Sequence, residues 1–290
     1  NYVLAYDLGT GGNKASLYDE RGVCVADTFV GYDTLYPRAG WHEQRPADWW
    51  DAVVASTHDL LARIDIDRAS ILAIGISGHS LGVVPLGAGG DLLLDATPIW
   101  SDTRPDAQQT DAFFARVPEP EWYALTGNGF PANLYSIFKI LWYRDNAPEV
   151  YAKIDKVIGT KDYINFRLTG RAVTDFSYAS GSGVYDLQGW CYSDKLIAAA
   201  GIDPAILPEI LPSTEVIGTL TPDAADALGL PQTVKVVAGG VDNSCMALGA
   251  KAYKEGRMYN SLGSSSWIAV ASDTPVLCPD SRPYVFTHVV

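Results

Sequence analysis

The order of hydrophobic and polar positions along the chain predicts an α/β protein. Short apolar or alternating segments predict strands at residues 2–8, 14–19, 23–30, 71–76, 83–86 and 92–94, and a further apolar segment follows at 98–100. Between the third and fourth of these, residues 46–63 carry apolar side chains at helical spacing behind a proline, which predicts an amphipathic helix. The first three strands are joined by tight turns, so we expect an antiparallel meander and an overall βββαβββ order.

The second half of the chain begins with helical spacing and then returns to strands. Helices are predicted at residues 136–146, 161–168, 193–200 and 243–252, and strands at 233–239, 257–262, 267–271 and 284–290. The pattern of strand, glycine-rich loop and following element therefore occurs near both ends of the chain.

Composition and charge exclude several classes of protein. The chain has 290 residues, of which 48% are hydrophobic and 19% charged, as in a soluble globular protein of about two domains. The net charge is −13 and no cluster of Lys and Arg is present, so we expect no nucleic-acid partner. No apolar run has the length of about 20 residues that a membrane span needs. Four widely spaced cysteines without a CxxC pair and no recognisable signal peptide favour a cytoplasmic location.

A glycine-rich loop follows the first strand and is the first candidate for phosphate binding. Its candidate residues are Gly9, Thr10, Gly11, Gly12, Asn13 and Lys14. The glycines allow backbone N–H groups to turn toward an anion, to which Thr10 adds a hydroxyl and Lys14 a charge. Asp7 at the strand end is suited to Mg²⁺, which takes one or two carboxylates. The loop matches neither a Walker loop nor a dinucleotide fingerprint, and a plain glycine hairpin is the alternative.

Residues 78–82 spell Gly-His-Ser-Leu-Gly and fit the GxSxG pattern of serine esterases and lipases. That chemistry needs a helix directly after Ser80, so that the nucleophile lies on a strained turn. The next residues are β-rich and are interrupted by Pro85 and Gly87. An esterase is therefore kept only as the alternative function.

Asp242 is the candidate general base. It follows a buried strand and opens a helix of small residues, a position from which a carboxylate can accept a hydroxyl proton. A helix N-cap is the simpler alternative for this residue. A second donor-rich loop at residues 261–266 contains Gly263 and Ser264, and two such loops could hold a polyphosphate from both sides.

Taken together, these motifs resemble the FGGY family of carbohydrate kinases, in the fold superfamily of actin, Hsp70 and hexokinase. The matching segments, in family order, are 7–14, 40–44 with Trp49 and Trp50, 100–104, 139–142, 162–170, 174–180, 239–243 and 263–264. The resemblance implies an α/β, ribonuclease-H-like mixed sheet with flanking helices. It also implies an N-terminal sugar-binding domain at residues 1–250, and a truncated nucleotide-binding domain that begins at 251–290 and lacks the adenosine-binding part.

The resemblance also assigns roles to single residues. It implies that the 9–14 loop with Gly263 and Ser264 binds the phosphates of ATP, that Asp7 binds Mg²⁺, and that Asp242 is the catalytic base. His79, Ser80, Asp102, Phe130 and Asp242 are expected to contact the substrate. Residues 78–82 keep neither the Gln-Met-His-Gly of xylulose kinases nor the Gln-Arg-Glu-Thr of glycerol kinases, so the substrate is left open.

The function expected from the resemblance is ATP-dependent phosphorylation of a hydroxyl of a small sugar or polyol, with a ketopentose such as xylulose favoured. The partner is a small molecule, and a homodimer is compatible with the sequence. Two alternatives stay open: an esterase that uses Ser80, and a sugar- and ATP-binding module of the same fold that transfers no phosphate.

Overall fold

The computed structural model describes residues 1–262 and 266–290. Its strands are β1 (Tyr2–Leu8), β2 (Gly12–Asp19), β3 (Cys24–Gly31), β4 (Glu43–Gln44), β5 (Ile71–Gly78), β6 (Val84–Leu86), β7 (Thr97–Pro98), β8 (Lys156–Ile158), β9 (Val173–Asp175), β10 (Tyr185–Asp186), β11 (Cys191–Tyr192), β12 (Glu209–Leu211), β13 (Val216–Thr219), β14 (Lys235–Val237), β15 (Gly240–Val241), β16 (Met258–Leu262) and β17 (Ser266–Val270). Its α-helices are α1 (Pro46–Ala62), α2 (Ala107–Phe114), α3 (Glu119–Thr126), α4 (Ser136–Asn146), α5 (Pro148–Tyr151), α6 (Thr160–Thr169), α7 (Phe176–Ala179), α8 (Asp194–Ala200), α9 (Pro222–Leu228) and α10 (Asp242–Gly249).

The main sheet is mixed and has the order β13-β14-β5-β1-β2-β3. The three N-terminal strands form the predicted antiparallel meander, and β5 pairs parallel to β1. β14 and β15 both pair parallel to β5, one after the other along the same edge. The carboxyl ends of β1, β5 and β15 therefore meet at one end of the sheet.

Two large hydrophobic cores and a smaller cluster around Tyr185 stabilise the described part of the chain. The first lies between the sheet and helices α1, α6 and α9, and Trp49 and Trp50 of α1 are buried in it. The second is formed mainly by α2, α3, α4 and α8 around Phe113, Trp122 and Phe138. No helix in the described residues is long and apolar enough to cross a membrane.

Two predicted strands are wrong. Residues 92–94 form only a single bridge, between Leu92 and Leu86. Residues 284–290 form no strand, because their backbone bonds go to separate partners: Val285 N–H donates to the Gly127 carbonyl and Thr287 N–H to Ser180 Oγ. Alternating apolar residues predict an extended chain, but a strand also requires a neighbouring strand in register.

Candidate active site

The candidate active site lies where the carboxyl ends of β1, β5 and β15 meet. Leu8 pairs with Gly78, and Gly78 with Val241, so the residues that follow these strands are neighbours. The sheet therefore brings Asp7 and the 9–14 loop next to His79 and Ser80, with Asp242 on the other side. Asp7 and Asp242 are 235 positions apart in the sequence, and the parallel pairing with β5 brings them to the same end of the sheet.

Asp7 lies on the solvent-exposed face of the sheet, between Lys14 of β2 and Ser77 of β5. Desolvation raises the pKa of Asp7, while a hydrogen bond with Ser77 and the charge of Lys14 oppose the shift. Lys14 is itself exposed and lies 3.7 Å from Asp27. A carboxylate that solvent can reach, next to a cation and a hydroxyl, is a chemically reasonable ligand for a hydrated Mg²⁺.

Asp242 is the first residue of α10 and is partly buried. Its Oδ1 accepts the N–H of Asn243 at 2.7 Å, whereas the N-cap position is taken by Val241. Desolvation raises the pKa of Asp242 to about 6, and the negative charge of Asp7 contributes to the shift. The carboxylate is thus close to Asp7 and has a pKa near the range in which a general base operates.

The glycine loop presents free backbone donors. Among residues 1–262 and 266–290, the amides of Thr10 and Gly11 donate to no protein acceptor, and no atom lies within 4 Å of a Cβ placed on Gly11. Two side chains anchor Thr10 to the rest of the protein: Trp100 Nε1 donates to Thr10 Oγ1 at 2.9 Å, and Gln44 Nε2 donates to the Thr10 carbonyl at 2.7 Å. A fixed loop with open space above unpaired amides is suited to an anion.

Two loop residues have structural roles that sequence reasoning did not assign. The side chain of Asn13 is fully buried on the opposite face and donates to Ser56 of α1 at 2.8 Å, so only the backbone of this residue is left for phosphate binding, which stays a prediction. Gly12 is a glycine because a Cβ would lie 2.5 Å from the Val30 carbonyl. Strand alternation explains the burial of Asn13, since Asp7 and Lys14 share the open face and Asn13 does not.

His79 is buried and neutral. Its Nδ1 lies 3.3 Å from Thr160 Oγ1, and its Nε2 has no partner among the described residues. Burial lowers the pKa of His79 to about 4, and the nearby Lys139 contributes to the shift. A neutral ring with one unpaired nitrogen can hydrogen-bond a substrate hydroxyl, and this role stays a prediction.

Ser80 is the first residue of a tight turn, which Lys139 stabilises by a hydrogen bond. Leu81 has a φ of 62°, and Gly82 N–H donates to the Ser80 carbonyl at 2.8 Å, which defines a strained γ-turn. The fully buried Lys139 donates to the Leu81 carbonyl at 2.9 Å, and burial lowers the pKa of this lysine to about 7. β6 follows the turn, so Ser80 precedes no helix and lacks the geometry of an esterase nucleophile. Sequence reasoning missed Lys139 as a site residue, although its position inside the apolar run 137–141 was the signal.

Aromatic residues border the site on the side of Ser80. Phe130 is 44% exposed and stacks on Tyr284, with ring centroids 4.2 Å apart. Burial raises the pKa of Tyr284, and the charges of Tyr135 and Asp242 add to this shift. Phe130 therefore reaches the site through Tyr284, and its contact with substrate stays a prediction.

Asp102 is fully buried, and its oxygens already accept several hydrogen bonds. Arg104 donates to them from Nε at 2.9 Å and from Nη2 at 2.8 Å, and the His42 amide donates at 2.8 Å. The Arg104 guanidinium is also stacked over Trp41, 4.1 Å from the ring centroid. The structure shows Asp102 fixing segment 40–44 against 100–104, and contact with a substrate stays a prediction.

Two of the predicted phosphate-binding residues, Gly263 and Ser264, lie outside the described residues. Within the described part of the chain there is no group of three or more His, Cys, Asp or Glu side chains that could hold a metal ion. A magnesium site here would therefore rest on the Asp7 carboxylate and on water.

Comparison with known proteins identifies the family. A model of the N-terminal domain of the FGGY family of carbohydrate kinases matches residues 2–249. The chain belongs to this family. A xylulose kinase of Escherichia coli strain K12 is 33% identical over 99% of this chain and 58% of its own length.

Solved structures of FGGY relatives agree with the fold. The crystal structure of xylulose kinase from Rhodospirillum rubrum has a TM-score of 0.92 at 31% identity and covers 100% of this chain and 58% of that one. A gluconate kinase from Lactobacillus acidophilus has a TM-score of 0.89 at 30% identity, over 97% and 56% of the two chains. The ribonuclease-H-like mixed sheet with flanking helices is thereby confirmed. The chain spans a little more than half the length of these relatives.

Proposed function

We propose that the protein containing this chain transfers the γ-phosphoryl group of ATP to a hydroxyl of a small sugar or polyol. The observation that carries the proposal is the meeting of two features at one end of the sheet. One is a glycine loop with unpaired amides at Thr10 and Gly11, and the other is the Asp242 carboxylate, whose pKa burial raises to about 6.

Each group has a role that follows from its chemistry. Asp242 orients the attacking hydroxyl and accepts its proton, because it is an ionised carboxylate at neutral pH next to the substrate side of the site. The amides of Thr10 and Gly11, with Lys14, stabilise negative charge on the phosphates. Asp7 would hold Mg²⁺, directly or through water. When bound, this ion neutralises charge on the phosphate oxygens.

The substrate side supports a polyhydroxylated molecule. His79 offers an unpaired ring nitrogen, Ser80 a hydroxyl and Phe130 an exposed ring, and these are the groups that bind hydroxyls and apolar sugar faces. The relatives include both a xylulose kinase and a gluconate kinase. We favour a ketopentose such as xylulose. In this proposal residues 1–250 form the sugar-binding lobe, and 251–290 begin the nucleotide-binding lobe.

The test is ADP release from the full-length protein over a panel of ketoses, polyols and sugar acids. We expect one class to stimulate release strongly and to yield a stoichiometric sugar phosphate. Basal ATP hydrolysis that no sugar stimulates would instead indicate a binding module without transfer. An esterase would turn over p-nitrophenyl esters and lose that activity in S80A.

A further inference from the structure

Behind the open face, a buried chain of hydrogen bonds joins α7 to the backbone that carries Asp242. The Asp175 carboxylate is fully buried, and its Oδ2 accepts the hydroxyls of Ser177 at 2.5 Å and Ser213 at 2.7 Å. Ser177 Oγ in turn accepts the N–H of Val241 at 2.9 Å. Val241 directly precedes Asp242, so Asp175 is two hydrogen bonds away from the backbone of the proposed base.

The direction of these bonds is fixed by the charge on Asp175. The Lys161 ammonium lies 2.9 Å from Asp175 Oδ1 and compensates the buried negative charge. An ionised carboxylate only accepts hydrogen bonds, so the single proton of the Ser177 hydroxyl must point toward Asp175. The lone pairs of Ser177 Oγ then face Val241, where they meet a backbone donor.

The backbone that precedes Val241 is also fixed by hydrogen bonds. The Ala238 carbonyl accepts Asn165 Nδ2 at 2.8 Å and Lys161 Nζ at 3.2 Å, and Gly239 N–H donates to the Ser213 carbonyl at 2.9 Å. Gly239 has a φ of 70° and interrupts the pairing with β5 between β14 and β15. Side chains of α6 and α7 thus fix the bend that aims the chain at Asp242.

We propose that Ser177 is a positioning residue for phosphoryl transfer: by holding the Val241 amide it sets the start of α10 and the placement of the Asp242 carboxylate. The proposal rests on the function proposed above. It concerns the placement of the base alone, since the sugar contacts expected of His79, Ser80 and Phe130 come from other elements. A small displacement of a catalytic group lowers the rate more than it lowers binding.

The experiment compares S177A with the matched control S213A in the full-length protein. Both variants remove one serine hydroxyl from the same oxygen of Asp175, but only S177A leaves Val241 N–H without its acceptor. We expect S177A to lower kcat by about 10- to 100-fold with the KM for sugar changed by less than about threefold, and S213A to change kcat far less. Hydrogen exchange of the Val241 amide should accelerate in S177A and stay slow in S213A.

S177C replaces the hydroxyl with a somewhat larger thiol that is a weaker acceptor and should give an intermediate kcat, which provides a measurement even if S177A does not fold.

Three results would overturn the proposal. The first is a wild-type kcat in S177A, and the second is an equal loss of kcat in S177A and S213A. The third is an S177A variant in which only the KM for sugar rises and the unfolding temperature falls, with kcat unchanged. If the wild type phosphorylates no sugar, the proposed function fails and the positioning role falls with it. The exchange rate of Val241 in the 290-residue chain still shows, in that case, whether Ser177 holds this backbone.

Discussion

At the scale of single residues, the site contains an unfavourable pair. Asp7 and Asp242 carry like charges at the carboxyl ends of β1 and β15, the two strands that flank β5, and each has a raised pKa through desolvation. Such a pair lowers stability, yet it provides a carboxylate that is basic enough to accept a proton near neutral pH. Separate measurements of activity and stability on one substitution can distinguish the two effects.

In the full-length protein, D242N should lower kcat by about 10²–10⁴-fold, because the amide cannot accept the proton of the attacking hydroxyl. The amide has nearly the size of the carboxylate, so sugar affinity measured by calorimetry should change far less. Wild-type kcat would assign Asp242 a structural role at the start of α10. Simultaneous loss of sugar binding and folding would also do so.

The same substitution should stabilise the fold at neutral pH. The folded-state pKa of Asp242 is about 6, above the value of about 3.9 in an unfolded chain, so the ionised form disfavours folding. This cost begins as the pH rises above about 4, is complete above about 6, and is on the order of 3 kcal/mol. Urea unfolding of the 290-residue chain should therefore show D242N more stable than wild type at pH 7 and equal to it at pH 4. Equal stability at both pH values would contradict the raised pKa.

At the scale of elements, the site depends on where strands end. β1 ends at Leu8 and is followed by an open loop that contains Gly11. The chain segment formed by β14 and β15 is interrupted at Gly239 before α10 begins. These two glycines are required for different reasons. A Cβ on Gly239 would lie 2.1 Å from the Ile76 carbonyl, whereas a Cβ on Gly11 would meet nothing within 4 Å.

G239A should destabilise the chain by about 2 kcal/mol or more, because alanine is strained at a φ of 70° and its methyl group would collide with the backbone of β5. The measurement is the free energy of unfolding in urea. An unchanged value would mean that the bend between β14 and β15 relaxes without cost.

G11A should leave the free energy of unfolding within about 0.5 kcal/mol of wild type, because its methyl group points into open space. In the full-length protein the same methyl group should raise the KM for ATP, since it fills the space above the Thr10 and Gly11 amides. The KM for sugar serves as the internal control and should hardly change. An unaltered KM for ATP would place the phosphates elsewhere.

Much of this arrangement follows from the sequence, and the remainder depends on contacts between distant residues. The periodicity at 136–146 predicts the bounds of α4, and the glycine turns predict the meander of β1 to β3, because both are local patterns. Asp175 caps α7 by accepting the amides of Ser177 and Tyr178, which is a local contact that an Asp before a short helix favours. Its link through Ser177 to Val241 joins positions 64 residues apart and has no local signal.

At the scale of the whole molecule, charged groups lie inside the protein close to the two cores. Lys161, Asp162 and Asp175 are completely buried, and Lys161 Nζ lies 2.5 Å from Asp162 and 2.9 Å from Asp175. A cavity beside Asp162 is lined by Ile158 of the first core and by Ile137 of the second. The same cluster supports the backbone that leads to Asp242, so stability and site geometry depend on shared residues.

K161M should therefore be far more damaging than loss of an exposed lysine. Removing the buried ammonium leaves Asp162 and Asp175 as uncompensated buried carboxylates, a change that costs about 3–5 kcal/mol. The control is K14M, which removes a lysine whose partner Asp27 lies 3.7 Å away with both side chains more than half exposed, and which should cost less than about 1 kcal/mol. Urea unfolding of both variants of the 290-residue chain measures the difference. In the full-length protein, K14M should in turn raise the KM for ATP, because Lys14 lies on the open face beside Asp7. Similar small losses of stability in the two variants would show that water or protonation of the carboxylates compensates for Lys161, and that the buried cluster is not what holds this part of the molecule together.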